Sequence, residues 1–245
     1  MLGRRQAKLN VLITSAGRRT SLVKAFAEAV HGRGGLVIAA DIDGLAPALY
    51  LADRALRVPP VRGPGYIDAL LEAVTAYKVS LIVPTIDLEL PTLSEDHERF
   101  GEHGCTVLVS SPCLVRIAND KWPTFREFSA RRFRLPRYWL PGEVHADELP
   151  ARLFVKPRDG SASQHAYQAC PETLEHVLVH VPNPIVQEYM TGPELTIDAL
   201  LDLAGRPVHY VVRRRIKAIG GELYNFAAWP CCQLFPFSWS SGNAG

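Results

Sequence analysis

Apolar residues in the first part of the chain switch repeatedly between two spacings, and this alternation restricts the fold more tightly than any other feature. Residues 9–14 (LNVLIT) make a short, β-branched run closed by Ser15-Ala16-Gly17. Leu22, Val23, Phe26, Ala29 and Val30 then recur at intervals of three and four, the spacing of one helix face. A glycine-rich turn (GRGG), a second apolar run from Leu36 to Ala40, and Asp41 come next. Residues 66–77 (YIDALLEAVTAY) repeat the helical period, Leu81-Ile82-Val83 makes a third run ending at Pro84, and Thr106 to Val109 a fourth. Strands that alternate with helices at this spacing predict a parallel sheet covered on both faces. Residues 1–112 therefore read as an open, Rossmann-like α/β domain.

The pattern changes after residue 112. Residues 113–131 hold one amphipathic helix carrying Asn119-Asp120-Lys121. Past Pro136 come strand-like segments: Leu153 to Lys156, Ala166 to Ala169, Ile185 to Met190, Leu195 to Leu203, and Val208 to Ile219. Ala204-Gly205-Arg206-Pro207 joins the last two as a hairpin turn, which demands antiparallel pairing. A parallel half followed by an antiparallel α+β half predicts two domains, at 1–112 and 113–222. No internal repeat of fixed period is present. From Leu223 to Gly245 no residue is charged, although Phe226, Trp229, Cys231, Cys232, Phe235, Phe237 and Trp239 fall there. Such a stretch is either buried or not the sequence with which the fold was selected. The second alternative makes the chain a truncated one and is the expectation adopted.

Charge and composition remove several classes of function. A formal net charge of +2 over 245 residues lacks the basic excess of a nucleic-acid-binding domain, so no nucleic-acid partner is expected. No apolar run approaches the roughly 20 residues of a membrane helix. The basic start MLGRRQAKLN leads only to Val11-Leu12-Ile13 before polar Thr14-Ser15, too short for a secretory signal, so no membrane partner is expected. The cysteines at 105, 113, 170, 231 and 232 show neither CxxC nor metal-ligand spacing and read as thiols of a cytoplasmic protein.

Several stretches are suited to chemistry. The turn Thr14-Ser15-Ala16-Gly17-Arg18-Arg19 puts small residues and two arginines at a helix N-terminus, where free N–H groups attract an anion; it is equally a tight turn that lets strand and helix pack. Asp41 ends the second strand, where a Rossmann site holds a ribose. Asp87 and Glu89 follow the Leu81–Val83 strand directly, either to orient a cationic or hydroxylated group or to cap the next helix. Lys156 is delivered by a strand into a small, polar loop containing Gly160, Ser161 and Ser163. Backbone N–H groups of such a loop can wrap phosphate oxygens, although no Walker A tail follows. Gln187-Glu188-Tyr189-Met190 offers extended backbone to an adenine edge, and Glu194 a carboxylate to ribose hydroxyls. Arg213, Arg215 and Lys217 lie at i, i+2 and i+4 of a strand, on one face, where they repel unless an anion or carboxylates sit opposite.

Taken in order, these pieces resemble the ATP-grasp superfamily, most closely its carbamoyl-phosphate-synthase-like carboxylate–amine ligases. The opening NVLITSAGRRTSLVKAF and DIDGLAPALYLADRALRVP resemble the family's pre-ATP-grasp domain. IVPTIDLEL, the NDK helix, FVKPRDGSAS, QEYMTGPELTIDALL and VVRRRIKAIGGE follow in the family's order, over residues 10 to about 222. The resemblance implies an ATP-dependent ligase whose carboxylate substrate becomes an acyl phosphate that an amine attacks, and it is compatible with a homodimer. It implies that Lys121 and Lys156 reach the phosphates, with Lys156 also near the adenine. Gln187 and the backbones of Glu188 and Met190 would take the adenine edge, and Glu194 the ribose. Arg213, Arg215 or Lys217 would neutralise the γ-phosphate or the acyl phosphate. Ser15, Gly17, Arg18, Asp87 and Glu89 are the substrate candidates in the first domain. Two departures stand out. Ala162 and His165 occupy positions where many members have glycine, and the family's Mg²⁺-binding carboxylates, which follow the RRR strand, have no counterpart after Glu222. The alternative expectations are a catalytically inactive nucleotide-binding remnant and, less favoured because the first turn has a single glycine, an NAD-dependent Rossmann enzyme.

Overall fold

The computed structural model describes residues 8–160, 164–219 and 222–228, with the side chains of Ala146, 215–219 and 222–228 outside the description. The chain divides into two compact units, one through Thr124 and one from Phe125.

The first unit is a five-stranded, wholly parallel sheet in the order β3-β2-β1-β4-β5. Its strands are β1 (Val11–Ile13), β2 (Val37–Asp41), β3 (Arg54–Arg57), β4 (Leu81–Val83) and β5 (Thr106–Val107). Helix α1 (Thr20–His31) joins β1 to β2, and α2 (Tyr66–Tyr77) joins β3 to β4. The short α3 (Leu90–Glu95) and α4 (His97–Glu102) lead from β4 to β5, and α5 (Pro112–Asn119) follows. Successive residues of the central strands point to opposite faces. Leu12, Ile38 and Ile82 enter one core with Leu70, Val74, Leu93 and Phe100. Val11, Ile13, Val37 and Ala39 enter a second core with Val23, Val30, Ala48 and Leu49. Both faces are thus dry, as the uniform apolar runs require.

Helix α6 (Lys121–Ala130) leads into the second unit, which is antiparallel throughout. One sheet orders its strands β6-β9-β7-β8, from β6 (Tyr138–Trp139), β7 (Leu153–Pro157), β8 (Tyr167–Ala169) and β9 (Pro184–Glu188). Leu153, Val155 and Val186 pack on α7 (Leu174–Leu178) through Leu174, Val177 and Leu178, and Val181 beyond the helix joins the same core. The other sheet is β10-β11-β12, from β10 (Leu195–Leu201), β11 (Pro207–Ile219) and β12 (Glu222–Ala228). The β10–β11 turn holds Gly205 at φ +77°, and the Asp202 carboxylate accepts from the Ala204 and Arg206 N–H groups, both at 2.9 Å. The fold class read from the sequence, a parallel α/β domain followed by an antiparallel α+β domain, is the one observed.

Four details differ from the sequence reading. The single helix expected over 113–131 is two, α5 and α6, because Asp120 is extended (φ −119°, ψ 122°) and its carboxylate accepts from the Trp122 N–H at 2.9 Å. Strand β3 has no apolar run, since it is a mostly exposed edge with the sequence RALR. The register of β11 against β12 shifts between Arg215 and Lys217, so the strict two-residue period over Arg213, Arg215 and Lys217 is broken. Residues 223–228, assigned to the uncharged tail, pair as part of β12; residues 229–245 lie outside the described residues.

The close fit of α1 to β1 rests on one glycine. A Cβ on Gly35 would lie 2.1 Å from the Leu9 carbonyl oxygen, whereas one on Gly32, three residues earlier, meets nothing within 4 Å. Gly35→Ala is expected to lower stability by roughly 1–3 kcal/mol, the usual cost of overpacking. Gly32→Ala should stay within about 0.5 kcal/mol of the parent, as surface changes usually do. Urea unfolding of both variants measures the difference.

Candidate functional site

In the first unit the chain runs outward from β1 to β3 and then returns to β4 on the other side of β1. The topological switch point, where open α/β sheets leave a crevice, is therefore at the carboxyl ends of β1 and β4. Thr14 and Ser15 leave β1 there, and Thr85 leaves β4. Glu89, fully buried, gathers them: its carboxylate accepts from Ser15 Oγ (2.6 Å), Thr14 Oγ1 (3.0 Å), Tyr66 OH (2.5 Å) and the Thr85 N–H (3.3 Å). Burial and the facing Glu89 carboxylate push the Tyr66 phenol far above its ordinary range, so it stays a donor. Thr85 Oγ1 reaches the carbonyls of Thr14 (2.9 Å) and Ser15 (2.7 Å), tying the β4 loop to the β1 loop. Ser15 is held at φ +44°, which side-chain-bearing residues seldom adopt.

This geometry bears on two readings. A 3₁₀ turn over Asp87–Glu89 leaves Asp87 exposed while Glu89 points inward, so the two carboxylates lie in different environments. Asp87 does not cap the helix, as no side-chain cap bond forms there. Glu89 accepts from four protein donors, which fasten it within the first unit. Asp41 is likewise engaged, accepting from the Gly17 N–H (2.7 Å) and the Asp43 N–H (2.9 Å). Ser15 and Gly17 are half-buried at the rim, and Arg18 is exposed.

In the second unit, antiparallel register sets Phe154 opposite Gln187 and Tyr138 opposite the same Gln187. One face of the sheet therefore carries Tyr138, Phe154, Lys156 and Gln187. The Lys156 ammonium donates to Gln187 Oε1 at 2.5 Å and lies 5.6 and 5.8 Å from the Tyr138 and Phe154 ring centres. Gln187 Nε2 donates to the Glu188 carbonyl (3.3 Å), which fixes the amide with its oxygen toward the lysine. Two residues from separate sequence motifs, 31 positions apart, thus form one donor–acceptor pair on an aromatic floor. The Glu188 N–H is committed to the Arg137 carbonyl (2.9 Å). Arg137 also donates to the Glu188 side chain at 3.2 Å and holds that carboxyl below its ordinary range.

The remaining candidates are placed individually. Met190 and Glu194 follow β9 and are exposed. Gly160 sits at φ +84° after β7, a conformation that glycine adopts freely. Ser161 and Ser163 lie outside the described residues. Lys121 opens α6 within the first unit. Arg213 pairs with Asp198 through both Nη2–Oδ1 (2.7 Å) and Nε–Oδ2, so a carboxylate opposes this strand's positive charge; the Asp198 contacts raise the Arg213 pKa. The side chains of Arg215 and Lys217 lie outside the described residues. Sequence reasoning passed over Tyr66, Thr85, Tyr138 and Phe154 and named Thr14 only as part of a turn; the placement of Thr14 and Thr85 at strand ends was the one signal for any of them.

Residues 118–226 match the family described as ATP-grasp domain, and residues 11–108 match the PylC-like N-terminal domain. The chain belongs to the ATP-grasp superfamily. Its fold is similar to an L-amino acid ligase from Bacillus licheniformis (TM-score 0.68, 15% identity, 92% of this chain and 55% of that one). It is similar also to a biotin carboxylase–β-γ-ATP complex from Campylobacter jejuni (0.67, 15%, 89% and 53%). A third likeness is to N5-carboxyaminoimidazole ribonucleotide synthetase from Thermotoga maritima (0.63, 18%, 84% and 53%). This ATP-grasp chain spans about half the length of those structures. Comparison with curated protein sequences finds no match. No helix among the described residues is long and apolar enough to cross a membrane.

The Glu89 cluster makes a direct stability prediction. Tyr66→Phe removes one of four donors from a buried carboxylate and is expected to cost about 1–3 kcal/mol. Denaturant unfolding reads it, and an unchanged midpoint would show that water replaces the phenol without loss.

Proposed function

We propose that the second unit binds ATP on the Tyr138–Phe154–Lys156–Gln187 face and that the protein serves ATP-dependent carboxylate–amine ligation. The single observation behind this reading is the 2.5 Å Lys156–Gln187 contact. A lysine donor beside a fixed amide acceptor complements the adjacent N7 acceptor and 6-amino donor of adenine. In this reading the Glu188 carbonyl and the Met190 N–H take the rest of the adenine edge, and Glu194 takes the ribose hydroxyls. Lys156 and the loop that starts at Gly160 would meet the phosphates. Arg213, Arg215 or Lys217 offsets charge on the γ-phosphate.

The chemistry follows in two steps. A substrate carboxylate oxygen attacks the γ-phosphorus and ADP leaves, giving an acyl phosphate. An amine then attacks the acyl carbon and phosphate leaves with the bonding electron pair. The protein contributes position and fixed cations, the main terms in phosphoryl transfer. Ser15, Gly17 and Arg18 are proposed, within the first unit taken by itself, as substrate-binding residues. Mg²⁺, were it bound, would supply positive charge to offset the phosphates. Among the described residues no three His, Cys, Asp or Glu side chains converge, so the metal is assigned no residues here and no step runs through it.

Calorimetry is expected to show ATP or ADP binding more tightly than NAD, with Lys156→Ala abolishing the difference; equal or tighter NAD binding would overturn the reading. Glu194→Ala should weaken ATP binding by roughly 1–3 kcal/mol, the loss of a charged hydrogen bond. Its thermal midpoint should hardly move because the residue is exposed. A second reading is nucleotide binding without turnover. Mg²⁺-dependent ADP formation by the parent chain, lost in Lys156→Ala, excludes the second reading. Sound ATP binding with no ADP formed under any amino-acid mixture excludes the first for this chain.

A further inference from the structure

One surface of the second unit is used neither by the nucleotide face nor by the core. Between Arg126 and Arg137 the chain carries five arginines and a single glutamate. The whole chain has a formal charge of only +2, so this +4 segment is balanced by −2 over everything else. Helix α6, which supplies Arg126, buries none of its residues. Arg132, at φ +61°, then reverses the chain, so that the Phe133 N–H donates to the Phe128 carbonyl (3.1 Å). The two phenyl rings meet edge to face at 5.2 Å, yet Phe128 and Phe133 remain 42% and 58% exposed. Arg131 pairs with Glu127 and Arg137 with Glu188, while Arg126, Arg132 and Arg134 have no ion pair among the described residues.

The backbone beside these side chains is open as well. Arg134 and Leu135 make no main-chain hydrogen bond among the described residues. They lead through Pro136 into β6, the edge strand of its sheet. An exposed sheet edge is a template for another extended chain. Guanidinium groups match carboxylates bidentately, and arginine with aromatic residues is the usual make-up of protein-binding surfaces.

We propose that the Arg126–Arg137 surface docks an acidic, extended polypeptide of a partner protein. Its carboxylates lie on Arg126, Arg132 and Arg134, an apolar side chain sits against the Phe128–Phe133 pair, and its backbone follows the edge of β6. Charge complementarity selects an acidic partner. A polypeptide fits better than a nucleic acid, because the two rings pack against each other instead of lying open as successive stacking platforms, and because open main-chain groups pair with backbone rather than with bases.

The test is fluorescence anisotropy with a labelled oligoglutamate peptide interrupted by one phenylalanine. The same peptide with alanine in that place, oligouridylate and phosphatidylserine vesicles serve as comparators. Binding of the phenylalanine peptide is expected to fall roughly tenfold or more in Arg132→Glu/Arg134→Glu and about fivefold in Phe133→Ala, as for an interface anchor. The alanine peptide should bind the parent about fivefold more weakly, which tests the anchor without altering the protein. ATP affinity should stay at the parent value in both variants. Equal binding of both peptides, unchanged binding by the charge variant, or tighter binding of oligouridylate or of vesicles would each overturn the proposal.

Discussion

A parallel strand buried on both faces has no place for a polar side chain along its length, and the first unit is organised by that constraint. Val11, Leu12 and Ile13 are wholly buried, so every polar group β1 can offer must come after Ile13. The same holds where β2 ends in Asp41 and β4 gives way to Thr85. The polar groups therefore crowd at one end of the sheet. There they meet the opposite demand, that a buried carboxylate be satisfied by donors or remain too costly to bury. Glu89 meets it with hydroxyls and a backbone N–H rather than with a cation, so its bonds are short-range and directional. They hold Ser15 in a strained backbone state. The β1 loop is consequently held in one shape by the protein's own bonds.

The second unit solves a different problem. Its sheet has one dry face, against α7, and one face carrying Lys156 and Gln187 among aromatic rings. A half-buried lysine needs an acceptor, and Gln187 supplies a neutral one. A carboxylate there would cancel the charge. The amide satisfies the ammonium without adding an opposing charge. The second unit thus preserves a cation where the first unit consumes an anion, and each choice suits the chemistry proposed for it.

What the sequence reveals divides along the same physical line. β1, β2 and β4 are legible because burial on both faces forces unbroken apolar runs. β3 is not, because an exposed edge strand tolerates Arg54 and Arg57 and shows no period. The break between α5 and α6 is hidden because the apolar spacing runs through Asp120, whose side chain caps the second helix locally. Asp87 and Glu89 look like a functional pair since they are two apart after a strand, but the intervening turn is 3₁₀, and that sends them to different environments. The Lys156–Gln187 contact depends on the β7–β9 register, which no local pattern encodes. Only the order of motifs along the chain pointed to it.

Arg213 shows how a charge pattern on one strand is completed by its neighbour. Three cations at alternate positions read as an anion site in wait, yet Asp198 sits diagonally across the ladder and takes Arg213 through two contacts. That pairing does not exclude an anion. Asp198 is about half exposed, and ion pairs with an exposed partner contribute only about 0–1 kcal/mol. The carboxylate holds the Arg213 guanidinium in one orientation through its two contacts. A pair this weak between side chains this well aligned is suited to exchange one anionic partner for another, and a deeply buried pair in the same place would not be.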